Sequence, residues 1–549
     1  MPRGCDVLRR TTSGSDSQSF PGGSPCVGGV PPYRRRYRCR VASAARRGGD
    51  FDMAWLRRKT LLAVALTSLG LLAPACGGGD GSDSDTPPDQ DGPVIVPPTT
   101  AQLRIVQAAP GAPAMDVYLA GNATPLARAV AYGTTTPYLT REPASVTVEL
   151  RPMGASPDSQ PVASTAVRLE AGTRWTVVTA GQFQSSDSEA ALRTVLLRDN
   201  PVPTDQGQSR VRIVHAGSDV RDVGVDLGDD GSVEVASLSR FQVSGDDALV
   251  VPSGAALQVA LVTGGTDRVL TSFTVPALGS GTDTLLVLTG LWAEPARAGD
   301  SFSLLTAGRD GTLAILRQNP TLYVLNASPD APPLDLFSGD RELTDALPFG
   351  GLSTSLQVPP GTYGLDFFAS TPGNARPAVA PVASTTTPVL VPGERYLMVA
   401  SGYVTPPHAS APAFTLLPLT ERFANDPTNL RLRWVHAASD TPTVDVGPLG
   451  SERRVLPDAP FLGVPFAGAT AQDGLPLPAG GTVTLGVVPS NDANRAPRAT
   501  FNITPRPDTR VFAVSTDLPG ASPGAWDLQL LLVDTTRTPW TVSAQPREP

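Results

Sequence analysis

Four times along the chain an apolar run is followed by a short polar turn and a second apolar run. The phrase reads LRIVQAAPGAPAMDVYLAG from Leu103, VRIVHAGSDVRDVGVDLG from Val211, LYVLNASPDAPPLDLFSG from Leu322 and LRWVHAASDTPTVDVGPLG from Leu432. Its second residues, Arg104, Arg212, Tyr323 and Arg433, are 108, 111 and 110 residues apart. A constant step of domain size predicts four tandem copies of one module.

Within each copy the beat continues. In the third, Pro360-Gly361 marks a turn, and Tyr363, Leu365 and Phe367 then alternate with Gly364 and Asp366, the period of a half-buried strand. Val146, Val148 and Leu150, then Leu257, Val259 and Leu261, and Val483, Leu485 and Val487 repeat that alternation. A turn and an unbroken apolar strand follow, opening at Gly172, Gly281, Gly393 and Asp508, and the closing strands are placed at Thr194–Leu197, Leu313–Leu316, Phe414–Leu417 and Leu528–Val533.

Short strands with a turn signal every few residues and no helical period predict an all-β chain of four tandem immunoglobulin-like antiparallel β-sandwich domains. Their expected bounds are 102–205, 209–318, 321–424 and 430–536, with 537–549 a tail. Each copy is long enough to bury its own core, so four independent beads are expected, joined near Pro201–Gln208, Arg317–Pro320 and Asn425–Asn429. The 53 Gly and 57 Pro suit many turns.

The first hundred residues have a different texture. Residues 1–52 hold ten Arg and no apolar run, and are read as disordered, upstream of a true start at Met53, with an unusually long n-region of the signal as the alternative. From Met53, the cations Arg57, Arg58 and Lys59 precede an apolar stretch from Thr60 to Leu72, then Ala73-Pro74-Ala75-Cys76. This has the layout of a secretory signal over 53–75, its apolar helix too short to span a bilayer. It resembles a bacterial lipoprotein signal, which makes Cys76 the lipidated residue; ordinary cleavage after Ala75 is the alternative. The other cysteines are Cys5, Cys26 and Cys39, so nothing after Cys76 can form a disulfide or a thiolate metal site. Residues 76–101 are Gly, Ser, Asp and Pro with little to bury, a flexible tether. With Gly77, not Asp, after the cysteine, lipoprotein sorting favours the outer membrane. The expected location is therefore the cell envelope.

Charge narrows the partners. Removing 1–75 leaves 30 Arg against 47 acidic residues, a net charge of about −17. That repels phosphate backbones and excludes nucleic-acid binding as the job of the whole surface.

The turn phrases resemble the bacterial domain-of-unknown-function family 4397. The match is best at Ala327-Ser-Pro-Asp-Ala-Pro332 with Asp335, looser at Ala437-Ala-Ser-Asp-Thr-Pro442 with Asp445, and partial at Ala109-Pro-Gly-Ala-Pro113 with Asp116. The second copy departs most, with two extra residues before Asp226 and no proline in the turn. The resemblance implies exported or surface-anchored β-sandwich modules and supplies no reaction, ligand or catalytic residue.

The recurring Asp116, Asp226, Asp335 and Asp445 are read first as acceptors for turn backbone or partners of the strand arginine, and second as calcium ligands. His215 and His436 share a repeat slot with Gln107 and Asn326, which points to a hydrogen-bonding role rather than a catalytic base. No nucleophile elbow, zinc-protease or phosphate-loop motif is present. No catalytic residue, metal ligand or cofactor is expected. The expectation is a non-enzymatic envelope lipoprotein that presents four sandwiches for adhesion, ligand contact or envelope structure, held by its lipid on Cys76 and facing a protein or glycan partner. An envelope hydrolase or carbohydrate-active protein with one working domain and a periplasmic scaffold are the alternatives.

Overall fold

A computed structural model describes residues 98–199, 204–264, 268–522 and 525–548. Residues 1–52, the signal at 53–75, Cys76 and nearly all of the tether lie outside the described residues. The described residues form strands and turns and no helix.

Repeat 1 has nine strands. They are β1 (Ala101–Gln107), β2 (Met115–Leu119), β3 (Ala127–Val130), β4 (Thr134–Thr135), β5 (Leu139–Arg141), β6 (Ala144–Pro152), β7 (Ala163–Leu169), β8 (Arg174–Ala180) and β9 (Arg193–Asp199). One sheet runs β3-β2-β6-β7, antiparallel throughout. The other runs β4-β1-β8-β9 with β5 also on β1, and its β1–β8 pairing is parallel. The remaining repeats keep this plan, including the parallel pair, at Gln208–His215 with Asp283–Thr289, Thr321–Asn326 with Arg395–Ser401, and Asn429–His436 with Thr509–Asp517. Four tandem β-sandwiches are thus present at the predicted stride, each with its own apolar core.

Repeats 2 and 4 add a strand. In repeat 2 the counterpart of β9 is Ser303–Gly308, and Gly311–Arg317 folds back beside it. The closing strand expected at Leu313–Leu316 is this extra one. In repeat 4 the counterpart is Leu528–Asp534, and Thr541–Gln545, expected to be tail, pairs along it.

The repeats are not independent beads. In β1, Leu103 and Ile105 face the core of repeat 1, while Val106 on the opposite face joins a second cluster. That cluster unites Val106, Val178 and Leu197 of repeat 1 with Val214, Val287 and Leu305 of repeat 2. Repeats 3 and 4 share an equivalent cluster, with Leu325, Val399 and Leu419 against Val435, Val514 and Val533. A strand covered on both faces buries side chains of both parities, and that is why apolar residues such as Ile105 and Val106 stand side by side in these strands. Matching hydrogen bonds fix both junctions: Thr289 Oγ1 donates to Ala108 O at 2.6 Å, and Thr516 Oγ1 donates to Ala327 O at 2.8 Å. An apolar interface of this kind suppresses relative domain motion. The seam between repeats 2 and 3 is polar instead. Gln357 accepts the Ser272 amide at 2.8 Å and donates to Thr271 Oγ1 at 3.1 Å, and Arg297 reaches Glu421 at 3.3 Å. The architecture is therefore two fused pairs, 1–2 and 3–4.

Candidate functional site

The recurring aspartates separate once register is known. Asp116 accepts the amides of Ala129 at 2.8 Å and Gly154 at 3.0 Å, and Asp335 those of Ala346 and Thr371, both at 2.9 Å. Asp445 accepts the Gly463 amide at 2.8 Å and pairs with Arg495 at 2.9 Å. Ala129, Ala346 and Gly463 have φ of 51°, 48° and 64° and lie at a shift in strand register. Each carboxylate thus anchors a β-bulge whose left-handed residue needs a fixed amide. None of the three pairs with a strand arginine.

Asp226 does not match them. Asp116 pairs with the strand partner next to Leu150, and the residue in that register opposite repeat 2 is Gly224, whose pair is Val262 beside Leu261. Asp226 lies two residues further along and accepts the amides of Asp230 at 3.3 Å and Gly231 at 2.9 Å, capping its own hairpin tip. The motif recurs three times in space, not four. The acid was assigned to the repeat by type; the strand pairing shows it out of phase.

A group of three carboxylates, Asp335, Glu342 and Asp345, gathers within 4.8 Å. Asp335 is already committed to two amides, and calcium needs six to eight oxygens. Ala346 corresponds to Ala129 and Gly463, so Asp345 corresponds to Arg128 and Leu462, and the group is not a feature of the repeat. His215 and His436 are buried, and their Nε2 atoms lie 2.9 Å from Arg221 O and 3.1 Å from Pro442 O. Burial pushes both rings below the ordinary histidine pKa. Asn326 uses the same slot to accept the Ser328 amide at 3.2 Å. The slot holds the turn.

A cleft of about 850 Å³ lies where repeats 1 and 2 meet. Arg104 and Arg174 enter it from β1 and β8, Arg210 and Arg212 from the first strand of repeat 2, and Arg309 from the turn before its extra strand. Arg104 donates to Thr176 Oγ1 and to Gly308 O, both at 2.7 Å, and lies 4.6 Å from the Tyr138 ring centroid. Asp199 holds the middle. It accepts from Thr176 Oγ1 at 2.5 Å and Tyr138 OH at 2.8 Å, and stands 3.8 Å from both Arg104 and Arg212. Burial, then the nearby Asp199 charge, holds the Tyr138 hydroxyl well above the usual phenol range. Asp283, 3.7 Å from Arg210, has its carboxyl raised by burial despite that arginine. The arrangement is a preformed set of planar donors around an internal counter-ion, suited to holding an anion. The repeat phrase itself displays Arg104 and Arg212 in apolar runs, but not that two repeats bring them together.

In pair 3–4 the same place is filled. Tyr323 stands where Arg104 does, and Trp540, arriving from the loop before Thr541–Gln545, stacks on it with ring centroids 4.3 Å apart. Arg395 lies 5.4 Å from the Trp540 ring centroid and pairs with the buried Glu421 at 2.8 Å.

Two stretches match a family model. Residues 101–226 and 320–447 match "Domain of unknown function (DUF4397)". Each match covers the odd-numbered repeat and runs on through the first strand and most of the second strand of its partner, which lie in opposite sheets. No curated protein matches the chain. A solved structure titled "The Bacillus anthracis TIE protein" is 11 % identical, over 75 % of this chain and 67 % of that one, with a TM-score of 0.13.

Proposed function

We propose that the protein is a non-enzymatic lipoprotein of the bacterial cell envelope, tethered through Cys76, that presents two fused sandwich pairs for ligand contact. The observation that carries the ligand-contact reading is the inter-repeat cleft. Its walls converge guanidiniums from both repeats. Rigid pairs suit capture, because binding need not order the site first. The signal-like stretch ending in Cys76 supports export and anchoring, with the outer membrane as the favoured address. Labelling cells with a lipid precursor tests this: the native chain takes up label and Cys76→Ala does not. Label on both chains, or on neither, contradicts the anchor. Protease treatment of intact cells then separates surface display, where the chain is digested, from a periplasmic scaffold, where it survives.

A second reading draws on the same cleft. Asp283 and Asp310 both line it, and paired carboxylates are the working groups of glycoside hydrolysis. Release of shortened products from an oligosaccharide by the native chain, abolished in Asp283→Asn, favours a carbohydrate-active protein over display.

A further inference from the structure

We propose that the cleft between repeats 1 and 2 binds an acidic saccharide, a short glycan bearing carboxylate groups. This rests on the ligand-contact reading and names the ligand class. Five guanidiniums, from Arg104, Arg174, Arg210, Arg212 and Arg309, face three carboxylates, those of Asp199, Asp283 and Asp310. Arg104 and Arg212 have side chains only 5 % and 10 % exposed and share one carboxylate, Asp199. Two nearly buried cations on one anion leave an excess of positive charge in a poorly solvated place, which a bound anion would neutralise. Toward the opening stand Arg174, its guanidinium 5.8 Å from the Tyr138 ring centroid, and the exposed Arg309. Their planar forks match carboxylate oxygens.

Size and lining favour a sugar acid over a bare anion. The volume falls in the range of roughly 300–1,000 Å³ typical of small-ligand sites, far larger than a single oxyanion requires. Leu278 and Leu313 add apolar surface beside the arginines, and Leu313 is 61 % exposed on the extra strand. A long polyanion such as nucleic acid is disfavoured by the net charge of the whole chain, whereas a local basic cleft in an acidic protein focuses its field on a small ligand. Pair 3–4 is a built-in control, because Tyr323 and Trp540 occupy the corresponding place with aromatic rings.

Calorimetric titration of the detergent-solubilised full-length chain tests the proposal with three probes: a uronic-acid trisaccharide, a neutral trisaccharide of the same length, and inorganic phosphate. The acidic trisaccharide is expected to bind, more weakly as salt is raised, with the neutral sugar at least tenfold weaker. Arg174→Ala and Arg309→Ala, which leave the buried pair intact, are each expected to weaken binding about tenfold, and Asp310→Asn to strengthen it. Unchanged melting temperatures establish that these variants fold. Arg395→Ala, in pair 3–4, is expected to leave affinity unchanged. No binding of the acidic trisaccharide, equal binding of the neutral one, phosphate binding as tightly as the sugar acid, or indifference to Arg174→Ala and Arg309→Ala overturns the proposal. Binding accompanied by cleavage overturns the non-enzymatic reading and leaves the ligand class standing; failure to bind removes the ligand class and leaves the anchoring test unaffected.

Discussion

Pairs 1–2 and 3–4 are two versions of one design, and they differ where the cleft lies. Both weld their sandwiches through the outer faces of the mixed sheets. Both place a buried threonine hydroxyl across the junction. In pair 1–2, Arg104 and Tyr138 meet over Asp199, and the turn at Arg309-Asp310 is tight, so a cleft stays open. In pair 3–4, a longer loop brings Trp540 onto Tyr323 and Phe512, and the junction is closed by rings. A repeat that only needs to be stable fills its junction with apolar surface. The pair that leaves charge and volume there gives up that packing, which is the difference the proposed ligand site would account for.

The largest expected difference comes from Trp540→Ala. A buried indole lost from a packed junction costs on the order of 3–5 kcal/mol, so hydrogen exchange in repeats 3 and 4 rises steeply while repeats 1 and 2 keep their protection. Smaller, and divided along another line, is the loss of the bulge anchors. Asp116→Ala leaves two amides without their carboxylate and a left-handed alanine unsupported, worth about 1–2 kcal/mol. Asp226→Ala exposes two hairpin-tip amides to water and costs a few tenths of a kcal/mol. Equal losses of melting temperature would mean that all four acids do one job after all.

Acidity probes one buried carboxyl of pair 3–4. Burial, opposed by the amides of Ser439 and Asp440 and reinforced by the Asp440 charge, raises the Asp517 carboxyl to about 6. Its counterpart beside Thr289 in repeat 2 is Gly290. A carboxyl with a raised folded pKa favours the folded state in acid, and that contribution is lost as pH climbs through about 6. Asp517→Asn therefore gains melting temperature relative to the native chain at pH 7–8, and the gap narrows toward pH 4. A gap independent of pH would remove the titration from the account. The smallest effect is expected of a chelator: EDTA leaves the melting temperature unchanged, because the recurring carboxylates are spent on amides.

Much of the fold was legible in the chain. The stride through Arg104, Arg212, Tyr323 and Arg433 located four sandwiches, and the alternation at Val148 and Leu150 or Leu365 and Phe367 located their core-facing strands. The pairing of repeats was not legible. An unbroken run such as LRIVQAA is equally consistent with a strand covered by its own sandwich and with one covered by a neighbour. Nor was the extra strand at Thr541–Gln545, since a short segment rich in Thr and Ser owes its order to the Leu528–Asp534 edge beside it. The same limit hid the cleft: its arginines stand in plain view, but they converge only after two sheets from different repeats are placed face to face.

The central claim is that the repeats are stabilised in pairs. Val178→Asp tests it most directly, by placing a carboxylate in the shared cluster of pair 1–2 without entering the core of repeat 1. Hydrogen exchange followed strand by strand should show lost protection both in Arg174–Ala180 and in Asp283–Thr289, the mixed-sheet strands that meet across the junction, while repeats 3 and 4 stay protected. Loss confined to repeat 1 would restore four independent beads and contradict the paired architecture.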